Sequence, residues 1–163
     1  MKIYTNADWA GCKTTQRSTT DYTILLAEAA VVYSSKKQRS VAASSTEAEY
    51  VAASLAAREA VWFRKIMEFI GQGIGMVHNS LNPMELYVDN EACMALAKNP
   101  KHHSRMKHID VQYHYIREQV VGGTIRLERV DSSNNVANIF TKPLNKVRYK
   151  NLTRRLGMHT RDG

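Results

Sequence analysis

The stretch from Ser44 to Ile70 constrains this chain more than any other. Ala48, Ala52, Leu55, Ala56, Trp62, Phe63, Ile66, Phe69 and Ile70 recur at spacings of three and four, the period of a helix with one apolar side. Much of that side is alanine, so the helix can lie close against a flat partner, and a sheet is the natural one. Ser44 with Glu47, or Thr46 with Glu49, supplies a capping box to start it, and Gly71 is expected to end it. The preceding segments supply the sheet: 2–9, 20–26 and 30–35 are rich in β-branched and aromatic residues, and the short link Ala27-Glu28-Ala29 predicts a hairpin.

Beyond a loop rich in Gly, Asn and Pro at 71–83, MELYVD reads as a fourth strand running into a helix, NEACMALAKN. A basic connector, PKHHSRMKH, leads to a helix from about Ile109 to Val121 that Gly122 and Gly123 close. TIRLERV is a fifth strand, SNNVANIFTK a short helix stopped by Pro143, and LNKVRYKNLTRRLGM a helical tail. The order β-β-β-α-β-α-α-β-α predicts an α/β fold, a five-stranded mixed sheet with helices packed on it. No repeat or composition break divides the chain, so residues 1–163 are expected to form one domain, with a core at about 2–143 and a C-terminal helical tail at about 144–158.

A chain of 163 residues can bury a core without disulfide or metal staples. Its two cysteines, Cys12 and Cys93, form no zinc-type cluster and no secreted framework, so both read as reduced thiols of an intracellular protein. No run approaches the roughly 20 apolar residues that span a bilayer, which argues against a membrane role. Lys and Arg number 23 against 15 Asp and Glu, a formal net charge of +8, and that balance suits a polyanionic partner.

Five strings share one register: YTNADWAG, SSKKQRSVAASSTEAEYVA, LYVDNEACMALAKNP, HSRMKHIDVQYHYIRE and VANIFTKPL. Together they resemble the ribonuclease H domain of copia-type LTR retrotransposons, over residues 3 to 158 and in that family's order. The resemblance implies a ribonuclease H-like fold. It also implies hydrolysis of the RNA strand of an RNA–DNA hybrid by two divalent ions, Mg²⁺ or Mn²⁺, held by four carboxylates. Such ions sit roughly 3.5 to 4 Å apart, one activating water and one stabilising the leaving oxygen, and hard cations take anionic oxygen ligands. On this resemblance the helix glutamate falls at Glu49 and the aspartate ending the fourth strand at Asp89, the two metal ligands that remain. The first-strand aspartate falls at Asn6 and the final-helix aspartate at Asn138. An amide has nearly a carboxylate's shape, but it is neutral and its NH₂ repels a cation. The expectation is an intact fold with very weak or absent hydrolysis. A natural degenerate copy and deliberate Asp→Asn changes account for the two amides equally well. The departures at Asp21 and in the Ala27–Ala30 run, where the family is usually rich in glycine, lean towards natural decay. Asp8, two residues from Asn6 on the same strand face, and Asp131, at the end of the fifth strand, are the carboxylates placed to compensate. Asp8 also belongs to the family's usual string, which favours a structural role for it.

Each residue has a plainer reading. Asp89 can cap the helix after it, and Glu49 can be the last member of a capping box; the family register tips both towards the site. Lys36, Lys37 and Arg39, together with Lys101, His102, His103, Arg105, Lys107 and His108, are candidates to touch a nucleic-acid backbone, against the alternative of solvated charge. The histidine-rich connector lacks the convergent ligands of a zinc site. Arg148, Lys150, Arg154 and Arg155 read as an exposed helix face, and Trp9 and Trp62 as core. Three functions compete: a hybrid-binding domain with most catalysis lost, a weak Mg²⁺- or Mn²⁺-dependent nuclease using Glu49, Asp89 and Asp8, and a module co-opted to bind an unidentified protein partner. The chain is read as either an excised piece of a polyprotein or a free-standing remnant.

Overall fold

A computed structural model describes residues 1–74, 82–98 and 107–158, apart from the side chains of 96, 98 and 107–113. Five strands, β1 (Lys2–Asp8), β2 (Thr19–Leu26), β3 (Ala29–Lys37), β4 (Met84–Val88) and β5 (Ile125–Arg129), form one sheet in the order β3-β2-β1-β4-β5. β2 pairs antiparallel with both β1 and β3, whereas β4 pairs parallel with both β1 and β5, so the sheet is mixed. The hairpin between β2 and β3 turns on two residues, Ala27 and Glu28, both with positive φ, which is the type I′ backbone that matches strand twist.

The long helix, α1 (Ser45–Gly73), packs its alanines on the sheet. Ala48, Ala52, Ala53, Ala56, Ala57 and Ala60 are fully buried, and Ala53, Ala56, Ala57 and Ala60 meet Ile3, Ile24, Met84 and Leu86 in the main core. The large residues of the expected stripe lie elsewhere: Leu55, Trp62, Phe69 and Ile70 are exposed. The alanines let the axis lie close to the sheet, and of the bulky α1 side chains it is Tyr50 that is fully buried in this core, with Phe63 packed against it. Gly71 does not end the helix, which continues two residues further with Gly71 buried in it; one glycine costs only about 1 kcal/mol against such packing. Trp62 is 55% exposed and Trp9 50%, so neither is core; the Trp9 Nε1 donates to the Ala42 carbonyl at 3.1 Å.

Helices α2 (Glu91–Lys98) and α3 (Lys107–Val121) follow β4. The opposite side of the sheet is covered by a 3₁₀ turn, η1 (Val136–Phe140), and by α4 (Lys146–Arg155), where Tyr4, Leu25, Val136, Leu152 and Leu156 form a second cluster. The expected short helix is therefore only this single 3₁₀ element. Among the described residues no helix is long and apolar enough to cross a membrane.

Candidate metal and nucleic-acid site

Three elements converge at the end of β1. Gln38, buried just beyond β3, donates its Nε2 to the Thr20 hydroxyl at 3.0 Å and to the Ala48 carbonyl at 2.9 Å, fixing the first turn of α1 to the sheet. The start of that helix is closed by Ser44, whose Oγ accepts from the Glu47 N–H, while the Glu47 carboxylate accepts from the Ala43 N–H at 2.9 Å. The capping box thus uses Ser44 and Glu47. Glu49 is released from capping and turns inward, and its Oε2 is buried without a hydrogen bond. Burial first, and then the charge of Asp89, push its carboxyl up to about 8, against the pull of the Ala7 backbone and Lys142.

Asp89 follows β4, half-buried. It does not cap α2. That role falls to Asn90, whose Oδ1 accepts from the N–H groups of Ala92 and Cys93 at 2.9 and 3.2 Å. Asp89 is left beside Glu49, close enough to raise it.

Asn6 is fully buried in β1. Its Nδ2 donates to the Thr141 hydroxyl at 3.2 Å, and its Oδ1 has no partner. Asn138, also fully buried, donates from Nδ2 to the Ser132 carbonyl at 2.7 Å, and its Oδ1 is again orphaned. Asn135 clamps η1 to β1 by donating to the Thr5 carbonyl at 2.8 Å while its Oδ1 caps the turn. The tail braces the same loop. Arg148 donates to the Ser132 carbonyl and Arg155 to that of Asn134, so these two arginines are turned onto the protein rather than spread on an exposed face.

No protein-family model matches the chain. Over 158 residues it is 39% identical to the retrovirus-related Pol polyprotein from transposon RE2 of Arabidopsis thaliana, covering 97% of this chain and 10% of that protein. It is 37% identical to the counterpart from transposon RE1 of the same plant, with the same coverage. Among solved structures, RNase H1 from the halophilic archaeon Halobacterium salinarum matches with a TM-score of 0.57, covering 83% of this chain and 89% of that one, at 13% identity, a likeness of fold. The chain has a ribonuclease H-like fold and is similar in sequence to one part of retrovirus-related Pol polyproteins from plant transposons. It spans about a tenth of the length of those relatives.

Asp8 packs over Gly11, where an added Cβ would lie 1.7 Å from its Oδ2, and its charge also acts on Asp21. Asp131 is exposed and its carbonyl accepts from the Asn134 N–H, closing a turn. The carboxylate that does lie inside is Asp21. It is fully buried on β2, directly opposite Asn6 in the β1–β2 ladder, and its charge also raises Glu49. Burial raises its own pKa, opposed by the polar side chains of Ser35, Thr141 and Asn6. The alternation of TTDYTILL hints that residue 21 shares a face with 19 and 23, but strand register, invisible in sequence, is what sets it against Asn6. Thr141 and Asn135 were missed for the same reason: each acts through a partner far away in the chain.

Lys36 and Lys37 end β3 and Arg39 follows, all three exposed. The Lys37 ammonium donates to the Cys12 Sγ at 3.1 Å. Lys101, His102, His103 and Arg105, and the side chains of Lys107 and His108, lie outside the described residues. Among the described residues no three Asp, Glu, His or Cys side chains are grouped to hold a metal ion. The buried orphans are nevertheless all hard oxygen: Asn6 Oδ1, Glu49 Oε2, Asn138 Oδ1 and both Asp21 oxygens. Buried acceptors without donors are costly, and a hydrated cation is a group that satisfies them.

Proposed function

We propose that this ribonuclease H-like domain binds RNA–DNA hybrids and cleaves their RNA strand very weakly or not at all. The observation that carries this reading is the pair of buried amides, Asn6 and Asn138, whose oxygens accept no hydrogen bond at the positions where the resemblance implies aspartates. Glu49 and Asp89 would hold Mg²⁺ or Mn²⁺, with the two amide oxygens as neutral ligands. When bound, a divalent ion there supplies Lewis-acid stabilisation of a phosphoryl oxygen. Two carboxylates set two negative charges against the four positive ones of an ion pair, too few to hold both ions. What remains to the chain is recognition. Lys36, Lys37 and Arg39, and the basic 101–108 connector, would contact phosphates and read backbone shape rather than base sequence. A hybrid ligand places that work in the cytoplasm or nucleus.

Titrating a labelled hybrid with the protein, followed by anisotropy over a range of salt, tests the recognition half. The expected result is saturable binding at low salt that weakens log-linearly as salt rises. Replacing Lys36, Lys37 and Arg39 by alanine should flatten that slope by roughly 2 to 3. Absence of saturable binding at low salt would contradict this reading and favour a co-opted protein-interaction module.

A further inference from the structure

The charge of the molecule is unevenly spread. The loop between β1 and β2 (9–18) and the run from β3 to the start of α1 (29–44) contain no Asp or Glu, yet they hold Lys13, Arg17, Lys36, Lys37 and Arg39. All five are exposed, and among the described residues none pairs with a carboxylate. The two segments form one surface. Asp8, Thr19 and Lys37 share a rung of the sheet, the Gln38 N–H donates to the Ser18 carbonyl at 2.8 Å, and the Lys37 ammonium reaches Cys12 in the loop. Asp8, half-buried over Gly11, borders it.

Trp9 opens the loop, and its Nε1 donates to the carbonyl of Ala42, in the segment that carries Arg39. The residue is fixed by that bond and still half exposed. An aromatic face held in place and left open to water does little for the core. Beside unneutralised cations it has the composition of a site for a nucleic-acid strand, with charge for the phosphates and a π-face for a base. A paired base cannot use it, because within a duplex each base is already stacked on its neighbours. An unpaired base can be splayed out onto an aromatic side chain.

We propose that Trp9 and this basic surface bind an unpaired nucleotide strand, the single-stranded extension of a hybrid, with one base stacked on the indole. Lys13 and Arg17, with Lys36, Lys37 and Arg39, hold its phosphates. Every base has a π-face, so the surface selects for strandedness rather than sequence. The inference rests on the reading of this domain as a nucleic-acid binder, and it names the part of the ligand that meets this face.

The test reads the fluorescence of Trp9 itself. The chain has two tryptophans, and replacing Trp62, exposed on α1, by Phe leaves one reporter. Single-stranded oligothymidylate, and an RNA–DNA hybrid with a single-stranded DNA extension, are expected to quench it saturably, whereas a blunt hybrid binds without quenching. Trp9→Ala should weaken binding of the extended hybrid by roughly 5- to 150-fold, the worth of one base stacked on an aromatic ring, and leave the blunt hybrid unaffected. Trp9→Phe keeps a ring and should retain most of the affinity, and circular-dichroism melts check that both variants fold. Replacing Lys13 and Arg17 by alanine should flatten the slope of log affinity against log salt for oligothymidylate by about 1.4. Equal quenching by blunt and extended hybrids would overturn the proposal. So would an absence of quenching by either, or a folded Trp9→Ala variant that binds the extended hybrid as tightly as the parent. A blunt hybrid that fails to bind while oligothymidylate still quenches Trp9 removes the hybrid reading and leaves this surface.

Discussion

Single residues decide what this domain can do, and the deciding ones differ in how visible they are in the sequence. Glu49 and Asp89 were legible because family strings surround them, yet each had a rival job as a helix cap. The structure gives those jobs to Ser44 with Glu47 and to Asn90, leaving both carboxylates unused by the helices. Asp21 was visible only as a departure, because its meaning depends on which residue stands across the ladder. Cys12 was read from sequence only as a reduced thiol, and hydrogen bonds from Thr15 and from Lys37 lower its pKa to about 6. Only the thiolate is nucleophilic, and an ordinary thiol near 8.5 is a few per cent ionised at pH 7. A lowered pKa moves ionisation to lower pH, so alkylation of Cys12 by iodoacetamide should rise through about pH 6 and level off above pH 7. Lys37→Met should shift that midpoint upward, with Cys93, buried and pushed to a high pKa, as the unreactive internal control. A midpoint near 8.5 in the parent protein would contradict the contact.

At the scale of elements, periodicity located the strands and α1 well because their patterns are long and local. It failed where packing or a distant contact sets the outcome. Of the stripe read as inward on α1, Ala48, Ala52 and Ala56 are buried and Phe63 packs on the core, whereas Leu55, Trp62, Phe69 and Ile70 face out. The last turn before Pro143 is 3₁₀ rather than a helix because Asn135 and Thr141, tied to β1, fix both its ends. The C-terminal tail docks in a similar way: the Ala30 N–H donates to the Leu156 carbonyl at 3.0 Å, and Gly157, at φ 77°, passes so near the β2–β3 turn that an added Cβ would lie 2.9 Å from the Glu28 carbonyl oxygen. Left-handed backbone costs a non-glycine residue about 1 to 2 kcal/mol, and the backbone clash adds to it. Gly157→Ala should therefore lower stability by roughly 2 to 4 kcal/mol in a denaturant melt. Ala27→Gly, which relieves a positive φ in the turn, should raise it by up to about 1 kcal/mol. Equal midpoints for Gly157→Ala and the parent would show that the tail does not depend on this approach.

For the molecule as a whole, the element order foretold a mixed sheet, and the strand order β3-β2-β1-β4-β5 puts the end of β1 next to that of β4, where the start of α1 and η1 meet them. That convergence is what brings four positions far apart in the chain to one place, and it could be reached from sequence only through resemblance. The net charge of +8 has a corresponding meaning: aspartates at 6 and 138 would bring it to 8 − 2 = +6, so part of the excess records the two amides at the site. Recognition without turnover is the central claim, and the rate at which the domain cuts a preformed RNA–DNA hybrid in Mg²⁺ and in Mn²⁺ tests it most directly. The Asn6→Asp, Asn138→Asp double variant should cleave at least about 10- to 100-fold faster than the parent while binding the hybrid with similar affinity. Equal cleavage rates for the two proteins would contradict the account.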